Sequence, residues 1–356
     1  MAKETSTSEL DSTLEKKELS KEDIIFLLSL NKKDNLKKLF RKADGIRKEY
    51  IGDYVFIRGI LEFSNHCKND CLYCGIRRSN QKLERYRISP KEIIRIADNA
   101  VNKLGLKTIL LQSGEDDFYN AEIIEDLIRG ILKACDCRVA LSIGEKSIDE
   151  YKRFYEAGAR RCLVRFETSS KEIFTALHPS SSITKNSLEK RISLIKELKK
   201  TGYQVGTGPI IGLPHQKIED LADDILLYNR LNINMAGMGP FIPHPETPLK
   251  QSPKGTFDMS LKMIAVTRIA CKDIFISATT ALQTINRTDG KEQALNAGAN
   301  LLMPNITPKR YRELYQLYPG KACIHESPYD CVSYVKKVVS SVGRKTGEGY
   351  GDTIRK

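Results

Sequence analysis

Short apolar runs alternate along the chain with longer segments whose apolar positions recur every three or four residues. The runs "YVFIRGILEF" (54–63), "KTILLQS" (107–113), "RVALSIG" (138–144), "RCLVRFET" (161–168) and "QVGTGPIIGLP" (204–214) predict strands. So do 233–239, "DIFISATT" (273–280) and "NLLMPN" (300–305). Helical periodicity covers 89–105, 121–134, 147–157, 185–201, 218–230, 257–270, 290–297 and 308–316. The first of these carries its own punctuation: Ser89 at the N-cap, Pro90 at the first helical position and Gly105 past the end. Eight strand–helix units make a parallel sheet, and over residues 54–317 they suit a closed (β/α)8 barrel better than an open doubly wound sheet.

This periodicity also divides the chain. Residues 1–20 read as a disordered tail, 21–53 as a helical lead-in, 54–317 as the barrel and 318–356 as a C-terminal extension packed on it. In "LLQSGED", "VRFET", "IIGLP", "SATT" and "LLMPN" the polar and glycine-bearing residues sit at the C-terminal ends of strands, where barrel active sites are assembled. The strongest apolar run, "IIFLLSL" (24–30), is far too short to cross a bilayer.

Composition changes the picture in two ways. The 356 residues hold 58 Lys and Arg against 45 Asp and Glu, a net charge of +13, which attracts anionic small molecules or acidic partners. The basic residues are scattered, Trp is absent and no basic run is interleaved with aromatics, so a solvated basic face is expected rather than a nucleic-acid surface. Nine cysteines, an odd number spread over a long chain, do not resemble a secreted disulfide framework, and the acid-bearing N-terminus resembles no signal or transit peptide. A soluble cytoplasmic protein is expected.

The densest chemistry is "NHCKNDCLYCG" (65–75), where Cys67, Cys71 and Cys74 follow the first strand on one loop at the barrel mouth. Structural zinc takes four protein ligands, and no fourth Cys or spaced His pair follows nearby; His66 adjoins Cys67 and cannot easily reach the same metal. An iron–sulfur cube held by three cysteines leaves one iron open to a substrate or cofactor. The plain alternative is three structural thiols or a zinc site. Cys135, Cys137, Cys162 and Cys271 lie on predicted helices or strands and read as core residues.

The Cys-x3-Cys-x2-Cys loop resembles that of the radical S-adenosylmethionine enzymes, and the resemblance extends along the barrel. It implies a 4Fe-4S cluster on Cys67, Cys71 and Cys74 whose open iron chelates the methionine amino and carboxylate groups of S-adenosylmethionine. Reductive cleavage would then release a 5′-deoxyadenosyl radical. It places Tyr73 beside the adenine, Ser113, Gly114 and Glu115 at the methionine amino group, and Gly208, Ile210 and Gly212 in the segment that supports adenine packing; His215 stands where the family often has an acid.

More specific strings, "YVFIRGILEFSNHCKNDCLYCGIRRSN", "RYRISPKEI", "LQSGED", "GPFIPHPETPL", "ATTA" and "LLMPNITPKRYRELYQLYPGK", resemble the HydE family of FeFe-hydrogenase maturases, relatives of biotin synthase and methylornithine synthase. By that resemblance, Arg191 pairs with the methionine carboxylate and Glu167 binds the cofactor. Arg165 points into the cavity toward a carboxylate-bearing ligand, with Thr279, Thr280 and Tyr318 as its hydrogen-bonding neighbours, and Ser113 contributes beside the reacting centre. For each of these the bland alternative is a helix-surface or barrel-layer residue. Many members carry an auxiliary cluster on Cys-x7-Cys-x2-Cys. Here Cys323 and Cys331 keep the first interval but Tyr334 replaces the third thiol, so a complete auxiliary 2Fe-2S cluster is not expected.

The implied function is radical processing of an anionic, cysteine-bound iron–carbonyl–cyanide complex supplied by the maturase HydG, with the product passing toward HydF. A low-potential reductant such as ferredoxin or flavodoxin would serve it, with no nucleic acid and no membrane involved. The competing enzyme reading is a radical mutase of the methylornithine synthase type or a biotin synthase-like enzyme, although no ligand set for a second sacrificial cluster appears in the strands. A non-catalytic cluster scaffold is the remaining alternative.

Overall fold

The computed structural model describes residues 7–179, 187–353 and 355. The strands are β1 (Tyr54–Ile57), β2 (Gly59–Ser64), β3 (Thr108–Ser113), β4 (Arg138–Ser142), β5 (Ala159–Leu163), β6 (Gln204–Thr207), β7 (Ile210–Ile211), β8 (Met235–Ala236), β9 (Gly239–Pro240), β10 (Phe275–Ile276), β11 (Leu301–Leu302) and β12 (Lys345–Thr346). Seven of them form one parallel sheet in the order β10-β8-β6-β5-β4-β3-β2. Its two edges meet across β11: Ser277 bridges Leu301 on one side and Ile60 bridges Asn305 on the other. Eight parallel positions therefore close into the expected barrel.

Side-chain alternation explains which face carries what. Leu61, Phe63, Ile109, Leu111, Val139, Leu141 and Val205 point outward into the main apolar core beneath the helices. The alternate positions line the lumen. Its lower part holds Arg58, Leu110, Ala140, Arg161, Gln204 and Asn234 around a cavity of about 20 Å³, and Glu62 of β2 is buried higher up. Helices Ala121–Ala134, Ile218–Arg230 and Phe257–Ala270 match their predicted limits. The helix expected over 185–201 runs Leu188–Thr201; residues 185 and 186 lie outside the described residues.

Three expectations are corrected. Residues 1–6 of the expected tail lie outside the described residues, but Thr7–Leu14 is a helix whose Leu10 and Leu14 are buried, with Asp11 and Glu15 paired to Lys38 and Lys42 of helix Lys33–Ile51. Its apolar positions, hidden among acids and hydroxyls, gave no strong period. The strand expected over 54–63 is interrupted at Arg58, and its first half pairs with β11 on one side and β12 on the other. The strand expected over 161–168 is regular only over Ala159–Leu163; beyond it Glu167, at φ 65°, keeps a single parallel bridge to Pro209.

The C-terminal residues seal the barrel floor. Arg161 donates through Nη2 to the carbonyls of Tyr350 and Gly351 and to Oδ1 of Asp352, at 2.8, 2.9 and 2.7 Å, and Arg58 reaches the Gly351 carbonyl at 3.1 Å. The opposite, C-terminal rim of the strands stays free for chemistry. Among the described residues no helix is long and apolar enough to cross a membrane.

Candidate active site

The loop leaving β2 carries Cys67, Cys71 and Cys74, each half-buried. Eight residues of loop cannot by themselves hold three thiols in place, so the loop is stapled from outside. Arg85 donates to the carbonyls of Asn65, Ile76, Arg77 and Asn80 at 2.6, 2.8, 2.6 and 3.2 Å. Asp70 receives Arg77 Nε at 2.7 Å and the Ser79 hydroxyl at 2.6 Å, and these partners hold its carboxyl well below the usual range despite burial. Two glycines permit the close approach. A Cβ on Gly114 would stand 2.2 Å from the His66 carbonyl oxygen, and one on Gly75 would stand 2.0 Å from that of Gln316.

Burial raises all three thiols. Cys74 is pushed up to about 12, with the neighbouring Cys67 adding to the effect, and Cys71 rises further. Such thiols stay protonated until a metal displaces the proton. Among the described residues no three His, Cys, Asp or Glu side chains converge on a point that one ion could occupy. A cube attaches each thiolate to a different iron, so three cysteines on one loop suit it without meeting at a single point.

Beside the loop, β3 ends at Ser113, whose hydroxyl donates to the Gly114 carbonyl at 2.7 Å. Glu115 follows, buried, with Oε2 lacking any partner and its carboxyl raised by burial. An unmatched buried carboxylate oxygen is costly unless a cation meets it, so this atom fits the ammonium of a methionine moiety. The turn after β4 closes over it: Gly144 has φ +80°, and a Cβ there would stand 2.0 Å from Glu115 Cγ. That turn presents Glu145 to Arg191, whose Nε donates to Oε1 at 2.5 Å while Nη1 donates to the Arg165 carbonyl at 3.2 Å. Burial opposes the Arg191 charge, but Glu145, Tyr73 and Glu167 outweigh it and keep the guanidinium cationic.

Tyr73 joins Ile210, Leu213 and Phe241 in a separate apolar cluster, so the structure brings together both side chains expected to pack the adenine. Its hydroxyl lies 3.1 Å from His178 Nε2. Burial, with Arg191 adding to it, pushes His178 down to about 3. The neutral ring therefore donates from Nδ1 to the Phe174 carbonyl at 2.8 Å and accepts the tyrosine proton at Nε2. Gly208 and Gly212 serve backbone approach: Cβ atoms there would stand 2.3 Å from the Gly237 carbonyl oxygen and 2.4 Å from Gly255 Cα.

Arg165 is half-buried, its side chain 30% exposed: Nε pairs with Glu167 Oε2 at 3.1 Å and Nη2 donates to the Pro209 carbonyl at 2.6 Å. Two expected site residues thus hold each other, as β5 delivers both from one strand end. Thr279 caps helix Thr280–Ile285, accepting the Leu282 amide. Tyr318 is raised by burial and by Glu62, while a hydrogen bond with Thr284 and the charge of Arg165 oppose the rise.

A Radical SAM superfamily model matches residues 61–228. The HydE subunit of the [FeFe] hydrogenase maturase of Thermotoga maritima is 46% identical over 96% of this chain and 96% of its own. The chain belongs to the HydE family of radical SAM enzymes. Solved structures of methylornithine synthase (TM-score 0.81, 24% identity, 95% of this chain and 97% of that one) and of HydG from Carboxydothermus hydrogenoformans (TM-score 0.80, 19% identity, 95% and 77%) share its fold.

Within this HydE-family chain, the auxiliary cysteine site is altered beyond the missing thiol. Arg312 Nη1 donates to Cys331 Sγ at 3.2 Å, and the buried Lys291 places Nζ 5.0 Å from the centre of the Tyr334 ring. Contact with Cys331 and the charge of Lys291 draw the Cys323 thiol downward. Two protein cations, Arg312 and Lys291, thus stand beside these cysteines. The remaining Cys135, Cys137, Cys162 and Cys271 are buried, as expected of core residues. Sequence reasoning missed Arg85, Glu145, His178, Glu62 and Lys321. Arg85, Glu62 and Lys321 lie within the quoted family strings, whereas Glu145 and His178 carried no signal.

Proposed function

We propose that this enzyme reductively cleaves S-adenosylmethionine and acts on a cysteine-bound, anionic iron–carbonyl–cyanide complex during assembly of the diiron subsite of FeFe-hydrogenase. The observation that carries the reading is 46% identity across 96% of both chains to a protein named as HydE. Cys67, Cys71 and Cys74 hold the 4Fe-4S cluster; when bound, the cluster supplies the electron that breaks a carbon–sulfur bond of the cofactor. Glu115 takes the methionine ammonium, and Arg191, oriented by Glu145, takes its carboxylate with the planar fork suited to that group. Tyr73 and Ile210 pack the adenine, Gly208 and Gly212 let the backbone approach, and Glu167 binds the cofactor.

Arg165, Thr279, Thr280 and Tyr318 orient the substrate, and Ser113 lies beside the reacting centre. The net charge of +13 favours an anionic complex over a cationic one. HydG supplies the complex, HydF receives the product, a ferredoxin or flavodoxin provides electrons, and the reaction runs in the cytoplasm.

The test is hydrogen evolution by an FeFe-hydrogenase matured anaerobically with HydG and HydF, with this protein, with its Cys74→Ala variant, or with neither. Activity that depends on the intact cysteine is expected. Activity at the no-protein baseline, with S-adenosylmethionine cleavage intact, would move the substrate assignment to a radical mutase of the methylornithine type.

A further inference from the structure

Glu62 and Lys321 form an ion pair with side chains only 3% and 6% exposed. Glu62 lies on β2 inside the barrel, where Oε2 also accepts Asn305 Nδ2 at 2.7 Å. Lys321 comes from the other end of the chain, 259 residues away. A buried ion pair is poor evidence of a stability device, because desolvating two charges cancels most of their attraction. What this pair does instead is fix where a segment sits.

The segment is short and tightly tied. Tyr318 and Lys321 are separated by Pro319 and Gly320, and Gly320 turns the chain at φ +64°. Arg287 donates to the Gly320 carbonyl at 2.6 Å, and Ala322 donates to Thr284 Oγ1 at 3.0 Å. Thr284 Oγ1 in turn donates to the Thr280 carbonyl at 2.8 Å, tying the segment to the helix that begins at Thr279 and Thr280. We infer that the Glu62–Lys321 pair is a latch that holds Tyr318 against this helix at the barrel mouth and so positions it on the substrate. The inference rests on the proposed function only for the identity of that substrate; the latch itself is a statement about Tyr318.

The test places 3-fluorotyrosine at position 318 in the reconstituted full-length enzyme and compares its fluorine resonance in the native protein and in the neutral pair Glu62→Gln/Lys321→Met. Lys321→Met alone would leave a buried, unpaired carboxylate and risk misfolding, which the neutral pair avoids. The resonance should shift and broaden in the neutral pair. The KM for the iron complex should rise about tenfold with kcat little changed, the signature of lost binding rather than lost chemistry, while cofactor cleavage without substrate stays at the native rate. An unchanged fluorine resonance overturns the latch. So does a parallel loss of cofactor cleavage, which would make the pair merely structural. Failure of the native enzyme to turn over the iron complex would instead sink the proposed function and leave the fluorine result to judge the latch.

Discussion

Arg191 and Glu145 are joined by a 2.5 Å contact from Nε to Oε1, and the backbone of the preceding Gly144 lies against Glu115, where a Cβ would stand 2.0 Å from its Cγ. One turn after β4 thus orients both groups assigned to the methionine moiety, the cation directly and the anion through its backbone. Arg191→Lys removes the planar fork and should weaken S-adenosylmethionine binding about ten- to hundredfold. Glu145→Gln keeps the geometry and loses the charge, so a smaller loss, about threefold, is expected. Equilibrium dialysis of the anaerobically reconstituted protein reads both; native affinity in Arg191→Lys would remove Arg191 from the cofactor site.

Gly114→Ala should damage cluster assembly before anything else. The new Cβ would stand 2.2 Å from the His66 carbonyl oxygen and 2.8 Å from Cys67 Cβ, so the cysteine loop must move away from β3. We expect iron content after reconstitution to fall below about half of native, because three-point ligation tolerates little displacement of one arm. Full iron content with lost cofactor affinity would show that Gly114 serves only the methionine side.

The pH dependence of stability carries a legible sign. Asp224 is fully buried, receives the Ser169 amide at 2.6 Å and has no partner for Oδ2; burial raises it from 3.8 to about 7. The native state therefore keeps a proton that the unfolded carboxyl releases above 3.8, and stability falls as pH climbs from there to about 7. His178 acts oppositely: depressed from 6.5 to about 3, it makes stability rise with pH across that interval and contributes nothing above it. From pH 6.5 to 7.5 the Asp224 slope stands without the histidine, at most about 1.4 kcal/mol per pH unit. Urea midpoints of native protein and Asp224→Asn should therefore diverge as pH falls through this range, with the native protein gaining relative stability; parallel curves would refute the buried proton.

The C-terminal cysteines should bind no iron. In the Cys67→Ala/Cys71→Ala/Cys74→Ala variant we expect almost none after reconstitution, since Tyr334 stands where a third thiol would complete the ligand set. More than about two irons per chain would instead assign an assembled 2Fe-2S site there.

Local features were legible in the sequence, and features made by distant partners were not. Helices Ala121–Ala134 and Ile218–Arg230 follow from periodicity and their own end signals. The three cysteines share one loop, so their spacing alone announced shared chemistry. Glu145, His178 and Lys321 were invisible because each acquires its role from a partner 46, 105 or 259 residues away. Strand ends misled for a related reason. A residue such as Glu167 looks like a continuing strand, but its left-handed backbone leaves it only an isolated bridge to Pro209.

The floor formed by Tyr350, Gly351 and Asp352 has a bearing on how the molecule comes into being. Arg58 and Arg161 belong to the first half of the chain, yet their carbonyl and carboxylate partners are among its last residues, and β1 pairs with Lys345 and Thr346. During synthesis from the N-terminus, two guanidinium groups wait in a half-made barrel until the final segment leaves the ribosome. Closure is then a late, long-range event of the kind that folds slowly. The cysteine loop is stapled early by Arg85, only eleven residues beyond Cys74, yet its Gly75 amide also bonds the Leu317 carbonyl, so the site at the other end of the barrel is likewise completed late.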